Sequence, residues 1–301
     1  MAEPAAPPVL CFGEVLWDCL PRGLFPGGAP INVAYHLQKL GLTAYPVTAV
    51  GADFLGHELI RRLEHWGLDT RFVNILPDKQ TGVVRAHIQP DGSAKYEIVE
   101  DVAWDWIELQ PAAMERAHDS AAVVFGSLAQ RSEYNRQSLA DLLDHCPSAL
   151  KVFDVNLRTP DNSVERVWSL ARCADLIKLN DHELSVLLNR AFPATELADA
   201  ARQFAKRLGA TRVCVTAGAK GAGLLLDDDW LWESARPVPV GDTVGAGDAF
   251  LAALLFGLLQ RSKSPMEILR SACRLAEFVT TQDGATPAYN VDAHGNVTPR
   301  N

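Results

Sequence analysis

The stretch GDTVGAGDAF, residues 241–250, places two glycines directly before a long apolar run. Glycines before a helix let successive backbone N–H groups point into one concavity, and the helix start adds partial positive charge. This helix start therefore suits an anion such as a transferring phosphoryl group. Asp248 would lie beside that anion and could accept a proton from a hydroxyl that attacks phosphorus. The alternative is a glycine-rich turn in which Asp248 only caps the helix.

A second candidate site lies in FPGGAPINVAYHLQKLG, residues 25–41. Gly27 and Gly28 predict a turn, and Pro30 suits the first position of the helix that an apolar stripe indicates. Asn32 then falls in the first helical turn, where its amide either faces a ligand or caps the surface.

Polar residues also follow two predicted strands. In FDVNLR, residues 153–158, Asn156 and Arg158 come at the carboxyl end of a strand, where open α/β sheets bind ligands. An ordinary loop is the alternative. In KLNDHE, residues 178–183, Asn180 and Glu183 lie three residues apart at a helix start and can face the same side. Their oxygens suit Mg²⁺ held through water, and a helix cap with a solvated glutamate is the alternative.

These residues need a scaffold, and short apolar runs alternate with helical stretches through most of the chain. This alternation predicts an α/β fold with a mainly parallel sheet covered on both faces. The predicted strands are Val9–Phe12, Thr43–Val50, Ala121–Phe125, Lys151–Val155, Leu176–Leu179 and Thr211–Thr216. The predicted helices are Pro30–Leu40, Phe54–Trp66, Ala112–His118, Glu133–Cys146, Val164–Cys173, Glu196–Leu208, Asp248–Gln260 and Pro265–Thr281.

One segment departs from this alternation. Residues 80–102 contain two alternating stretches joined by Pro90-Asp91-Gly92, which predicts a β-hairpin, and Glu14–Leu20 offers another strand. We expect a single domain over residues 1–301 with a small separate sheet built from two insertions, about 14–24 and 80–104. Such a sheet could cover a cleft or form a dimer contact.

Composition excludes several classes of protein. The formal net charge of −9, with scattered basic residues, argues against a nucleic-acid partner. The longest apolar run, Ala249–Leu259, is shorter than the ~20 residues that span a bilayer. The first residues have no basic region typical of a signal peptide. Six cysteines without a CxxC pair indicate reduced core residues. We therefore expect a soluble cytoplasmic protein with no membrane contact.

Several of these strings together resemble a known family. D-T-x-G-A-G-D-x-F, at Asp242–Phe250, resembles the C-terminal signature of the ribokinase-like carbohydrate kinases. The G-G-A-P-x-N-V-A wording within residues 25–41 resembles the N-terminal signature, most closely that of fructokinases. FDVNLR resembles a fructokinase motif in which a proline commonly stands at the position of Val155. KLNDHE matches the family's N-x-x-E motif, and VTAGAKGAGLL, residues 215–225, resembles its nucleotide-binding strand and turn.

The resemblance runs from about residue 9 to about residue 287 and implies a three-layer fold, a small β-sheet lid and a role for each matching residue. It implies that Asp248 is the catalytic base and that the amides of Gly245, Ala246 and Gly247 form the anion hole. Contacts to the sugar are implied for Asp18, Gly27, Gly28, Asn32, Asn156 and Arg158. Contacts to ATP are implied for Asn180, Thr216, Gly218 and Gly221. Glu183 would hold Mg²⁺ through water, and Asp242 would help to hold a monovalent cation such as K⁺.

The functional hypothesis is an ATP-dependent sugar kinase that phosphorylates a hydroxyl of a free sugar, with fructose as the first choice. A kinase for another small sugar or sugar acid, such as ribose or 2-keto-3-deoxygluconate, is the alternative. A non-catalytic sugar-binding regulatory protein of the same fold is a third hypothesis. The lid could also pair two copies of the chain into a homodimer.

Overall fold

The computed structural model describes residues 7–20, 23–88, 94–157, 163–292 and 297–299. Fifteen strands lie within this part of the chain. In chain order they are β1 (Val9–Phe12), β2 (Leu16–Leu20), β3 (Gly23–Gly27), β4 (Ala44–Gly51), β5 (Val73–Leu76), β6 (Gly82–Ile88), β7 (Ala94–Ile98), β8 (Ala122–Gly126), β9 (Leu150–Asp154), β10 (Leu176–Asn180), β11 (Arg212–Thr216), β12 (Gly221–Leu226), β13 (Asp229–Ser234), β14 (Tyr289–Val291) and β15 (Val297–Pro299).

Nine α-helices lie among the described residues, and most begin at a side-chain cap or a proline in the first turn. In chain order they are α1 (Ala29–Lys39), α2 (Phe54–His65), α3 (Pro111–His118), α4 (Glu133–Asp144), α5 (Val164–Ala171), α6 (Asp181–Leu188), α7 (Leu197–Leu208), α8 (Ala246–Gln260) and α9 (Pro265–Thr280).

Nine of the described strands form one large sheet in the spatial order β13-β12-β11-β10-β9-β8-β1-β4-β5. From β11 to β5 every neighbouring pair is parallel, whereas β12 and β13 add an antiparallel edge. The mainly parallel sheet predicted from the sequence is confirmed. Because parallel strands all end at the same edge, the polar residues that follow β9, β10 and β11 are brought together there.

The sheet is buried on both faces. Along β1, Val9 and Cys11 belong to one apolar cluster and Leu10 and Phe12 to another, as the two-residue period of a strand requires. Helices α1, α2, α8 and α9 cover the first face, and α3 to α7 cover the second. The protein therefore has three layers, with the helix starts of α1 and α8 on the same side of the sheet.

A second, smaller sheet has the order β3-β2-β6-β7. β2 lies in the first predicted insertion and β3 begins at its end and runs on to Gly27, whereas β6 and β7 lie in the second; β2 joins the two parts by pairing in parallel with β6. The hairpin residues Pro90, Asp91 and Gly92 lie outside the described residues. The chain passes from the large sheet to the small one after β1 and reaches α1 directly after β3.

Four helix starts differ from the sequence prediction, those of α3 and α7 by a single residue. Helix α8 begins at Ala246, two residues before the predicted start, because Gly245 takes a left-handed conformation (φ 77°) and caps it. The alternative in which Asp248 caps this helix is therefore wrong. Helix α1 begins at Ala29, so Pro30 is its second residue rather than its first.

The six cysteines are free, and four of them are buried. These four are Cys11, Cys146, Cys214 and Cys273. Burial raises the pKa of each of the four thiols, which keeps them protonated and unreactive. Among the described residues, no helix is both long enough and apolar enough to cross a membrane.

Candidate active site

The first turn of α8 presents backbone N–H groups without protein partners. Helix starts leave such groups unsatisfied, and the N–H groups of Gly245 and Gly247 donate to no atom in the described part of the chain. The N–H of Ala246 instead donates to the carbonyl of Thr243 at 3.4 Å. Two of the three expected amides are thus available to an anion, and the helix start favours negative charge there.

Neighbouring protein atoms lie close to both glycines. A Cβ on Gly245 would overlap Ala285, and the left-handed φ of 77° disfavours any side chain as well. A Cβ on Gly247 would lie 3.0 Å from the ammonium nitrogen of Lys178. The bare backbone therefore lets α8 start in close contact with the segment around Ala285 and with a buried lysine.

Asp248 is the third residue of α8 and faces α1. Its Oδ2 accepts a hydrogen bond of 2.8 Å from Nδ2 of Asn32, in the first turn of α1. Oδ1 of Asn32 is buried and accepts no hydrogen bond from any described residue. An unpartnered buried oxygen of this kind is costly unless a ligand or water donates to it, so it marks a place for a hydroxyl beside Asp248.

The glycines before α1 are fixed by two close approaches. A Cβ on Gly27 would lie 2.5 Å from Oδ2 of Asp18, and a Cβ on Gly28 would overlap the carbonyl of Glu14. Glu14 also accepts from the N–H of Ala29 at 3.2 Å and so fixes the start of α1. Asp18, on β2, is thereby placed in the small sheet against the turn that leads to Asn32.

The ends of β10 and β11 hold two of the expected nucleotide contacts. Asn180 and Thr216 are register partners on these adjacent strands. Beyond Thr216, Gly218 has a φ of 53° and no atom within 4 Å of the position a Cβ would take, so a ligand can approach its backbone. Gly221 differs, because a Cβ there would overlap the carbonyl of Glu233 in the neighbouring strand. The absence of a side chain at Gly221 therefore allows β12 and β13 to pair closely.

Glu183 is buried, not solvated. One carboxylate oxygen accepts from the N–H of Asn180 and the other from the N–H of Leu157, both at 2.8 Å, while Asn180 Oδ1 accepts from the N–H of Glu183. The pKa of Glu183 is raised by burial, against the lowering effect of these amides. Glu183 thus ties the start of α6 to the loop after β9.

Asn156 stands in that loop with a φ of 40°. A positive φ is uncommon outside glycine but is tolerated by asparagine, and it turns the chain at the carboxyl end of β9. The hydroxyl of Ser127 donates to the Asn156 carbonyl at 3.2 Å, which links the ends of β8 and β9. Arg158 lies outside the described residues.

Lys178 and Asp154 were not among the residues expected from the sequence. They are register partners on β10 and β9, and Nζ of Lys178 donates to the two carboxylate oxygens of Asp154 at 2.9 and 3.2 Å. Their side chains are only 10% and 3% exposed. The sequence could have indicated them, because each is a charged residue within an apolar strand. A buried charge is rare unless it is paired.

Asp242 links the loop before α8 to the segment after α9. Its Oδ1 accepts from the N–H of Val244 at 3.0 Å and its Oδ2 from the N–H of Gly284 at 3.3 Å. The next residue, Ala285, is held by His36 of α1, whose Nε2 donates to the Ala285 carbonyl at 3.0 Å. The two loops therefore meet beside the helix start that offers the free amides.

The lid aromatics have separate environments. Trp104 is fully buried, with the Arg131 guanidinium 4.0 Å from its ring centroid, whereas Trp106 is partly exposed and packs near Tyr134. The side chain of Tyr96 lies outside the described residues. Trp104 is therefore a core residue of this part of the chain.

The donor set suits a metal held mainly by water and phosphate. Within the described ranges no three His, Cys, Asp or Glu side chains cluster closely enough to hold a metal ion. Mg²⁺ in phosphoryl-transfer sites usually keeps several waters and takes one or two carboxylates plus substrate phosphates. A single buried carboxylate such as Glu183 fits that pattern.

The chain is similar to known sugar kinases over nearly its whole length. The model of the pfkB family carbohydrate kinases matches residues 11–291. Fructokinase-2 of Solanum lycopersicum is 27% identical over 93% of this chain and 92% of its own. A sugar kinase of Pyrococcus horikoshii is 28% identical over 85% of this chain and 81% of its own. The crystal structure of fructokinase with bound ATP from Xylella fastidiosa has a TM-score of 0.79, at 24% identity, over 92% of this chain and 93% of that one.

A three-layer α/β fold with a small second sheet and an acid at an amide-lined helix start defines a carbohydrate kinase of the ribokinase-like fold. The chain belongs to the pfkB family of carbohydrate kinases. It is an ATP-dependent sugar kinase.

Proposed function

We propose that this kinase transfers the γ-phosphoryl group of ATP to a hydroxyl of free fructose, with Asp248 as the base. One observation carries the proposal. Asp248 lies in the first turn of α8, beside the amides of Gly245 and Gly247, and accepts a hydrogen bond from Asn32. Among the described residues, neither these amides nor the buried Oδ1 of Asn32 has a hydrogen-bond partner. A hydroxyl donating to Asn32 would be close to the carboxylate that takes its proton.

Each residue then has a chemical task. Asn32 orients Asp248 and accepts from the sugar, and Asp248 removes the proton from the attacking hydroxyl as the new O–P bond forms. The amides of Gly245 and Gly247, with the partial charge of the helix start, stabilise negative charge on the phosphoryl oxygens. The Ala246 amide joins them only if its 3.4 Å bond to Thr243 opens.

The remaining expected contacts surround this centre. Asp18, Gly27 and Gly28 of the small sheet and the α1 turn, with Asn156 and Arg158 after β9, would bind the other sugar hydroxyls. Closure of the small sheet, residues about 14–24 and 80–104, would exclude water from the reaction. The same sheet exposes half of Leu24, which supports its use as the contact of a homodimer.

ATP would lie along the ends of β10 and β11. Asn180, Thr216 and Gly218 would contact the nucleotide, while Gly221 shapes the turn behind them. The Pyrococcus horikoshii sugar kinase, 25% identical in its complex with ATP and with a TM-score of 0.76, supports a nucleotide at this fold. Bound Mg²⁺ would offset phosphate charge, with Glu183 holding one of its waters. Asp242 and the Gly284 segment would hold K⁺, and we place the reaction in the cytoplasm.

Fructose is preferred because the curated relatives named fructokinase match more than nine tenths of this chain. Sugar identity depends on a few contacts, so ribose and 2-keto-3-deoxygluconate remain the competing substrates. A non-catalytic sugar-binding protein would have no use for an acid beside free amides.

The test is a coupled assay of ADP release over a panel that contains fructose, ribose, 2-keto-3-deoxygluconate and other hexoses. We expect fructose to give the highest kcat/KM. Rapid turnover of a pentose or a sugar acid without turnover of fructose would overturn the substrate. Sugar binding without any ATP consumption would overturn the kinase activity itself.

A further inference from the structure

Lys178 lies directly beneath the helix start that offers the free amides. It is the central residue of β10, on the sheet face that α8 and α9 cover. The missing side chain of Gly247 leaves room for its ammonium, which lies 3.0 Å from where a Cβ would stand. The ammonium therefore approaches the first turn of α8 from the sheet side.

The position of the Lys178 ammonium is fixed by the neighbouring strand β9. Asp154 accepts two of its hydrogen bonds, at 2.9 and 3.2 Å, from the neighbouring strand. An ammonium has three hydrogens, so one remains, and no described residue accepts it. Asp154 thus holds the Lys178 side chain against α8 and leaves one N–H of its ammonium available to a ligand.

The surrounding charges keep the lysine ionised. Burial lowers its pKa, but Asp154, Asp248 and Glu183, in decreasing order of effect, raise it, and the net pKa is above the ordinary value of a lysine. Lys178 thus lies close enough to the proposed base to interact with it. A buried cation that faces three carboxylates has more negative charge around it than one ion pair requires.

We propose that Lys178 is a further catalytic residue of this kinase and that its third N–H donates a hydrogen bond to the phosphoryl group during transfer. Asp154 is its positioning residue. The inference rests on the proposed function of Asp248 and the α8 amides. As the bond from phosphorus to the ADP oxygen breaks and the bond to the sugar oxygen forms, the hydroxyl proton goes to Asp248. Lys178 transfers no proton and supplies positive charge opposite the helix start.

The competing explanation is a structural ion pair, and a paired substitution separates the two. Lys178→Met alone leaves Asp154 buried and unpaired, which lowers the Tm whatever the role of the lysine. Lys178→Met with Asp154→Leu removes both charges, and replacing a buried pair by apolar residues of similar volume is often neutral or stabilising. We expect this double variant to recover the Tm but to keep a kcat reduced by roughly 10²–10³, with little change in the KM for sugar.

A second measurement does not depend on the identity of the sugar. Mg²⁺-ADP with fluoroaluminate presents a phosphoryl-like anion at the transfer position, and calorimetry gives the gain in ADP affinity that it produces. We expect both variants to bind ADP like the wild type but to lose that gain. A double variant with wild-type kcat, or an undiminished fluoroaluminate gain, would overturn the role of Lys178. A wild-type protein that turns over no sugar would instead refute the proposed function, while the fluoroaluminate comparison would still decide on Lys178.

Discussion

Asn32 donates a 2.8 Å hydrogen bond to Asp248 across 216 residues of sequence. This bond joins the first turn of α1 to the first turn of α8, so the predicted sugar-binding segment and the predicted phosphate-binding segment share one centre. Because Oδ1 of Asn32 is buried and has no partner among the described residues, the pair is incomplete without a ligand or water.

Asp248→Asn tests the base. Asparagine keeps the size of the side chain but cannot accept the proton, so kcat should fall by roughly 10²–10⁴ while ATP and sugar still bind. Measurements of kcat, of the ATP and sugar affinities and of the Tm distinguish a catalytic base from a purely structural residue. Glu267 occupies the same third position of α9 and only caps its own helix, so Glu267→Gln should leave kcat unchanged. A folded Asp248→Asn protein with near wild-type kcat would refute the mechanism.

Gly245→Ala tests the close contact at the start of α8. Gly245 and Gly209 share a left-handed φ, 77° and 70°, but only Gly245 has a neighbour in the way, at Ala285. In both alanine variants the left-handed backbone conformation should lower the free energy of unfolding by roughly 1–2 kcal/mol. We expect a larger loss of Tm and a fall in kcat at Gly245 alone. Equal Tm losses with full activity in both variants would show that the Ala285 contact is unimportant.

Glu183→Gln tests the magnesium assignment. The amide can still accept from Asn180 or from Leu157, but its NH₂ group repels the other N–H donor, so some loss of stability is expected. If Glu183 holds water on the metal, the Mg²⁺ concentration needed for half-maximal rate should rise more than the KM for sugar. Glu267→Gln, in a comparable capping box on α9, controls for the lost cap. Equal losses in metal dependence and sugar binding would count against a metal role.

The dependence of stability on pH should reveal His36. Burial lowers its pKa from the ordinary 6.5 to about 4, so the folded protein keeps a neutral ring, with Nε2–H on the Ala285 carbonyl and Nδ1 accepting from Tyr289. Between those values only the unfolded chain binds the proton. The free energy of unfolding should therefore fall as pH drops from 6.5 to 4, by about 3 kcal/mol from this group.

His36→Gln removes that contribution. Denaturant titrations between pH 4 and pH 7 should give a shallower loss for this variant than for the wild type, and His57→Gln, at an exposed histidine, should follow the wild type. Parallel curves for all three proteins would contradict the assignment.

A monovalent cation should raise the rate. Asp242 accepts from Gly284 and so brings two loops together beside the free amides of α8, where a bound cation would offset phosphate charge. We expect higher kcat in K⁺ than in a bulky organic cation at equal ionic strength. Identical rates in K⁺, Na⁺ and the organic cation would remove the cation from the mechanism.

The sequence by itself determined the elements and the chemistry of the local strings. β1 has the bounds that its apolar run predicted, and the glycine-rich start of α8 and the helix start at Asn180 lie where the local pattern predicted them. These features depend on residues a few positions apart, so local pattern is enough. The antiparallel β12–β13 edge was not predicted, because its glycines and aspartates mask the strand period.

Only the tertiary structure decided which distant residues meet. Their apolar neighbours place Lys178 and Asp154 in buried strands, but only the pairing of β9 with β10 makes them partners, and only the packing of α8 places Lys178 beside Gly247. Likewise His36 reaches Ala285 across 249 residues because α1 packs beside α8. A periodic pattern specifies the buried face of an element, whereas the group that the face contacts depends on the packing of the whole chain.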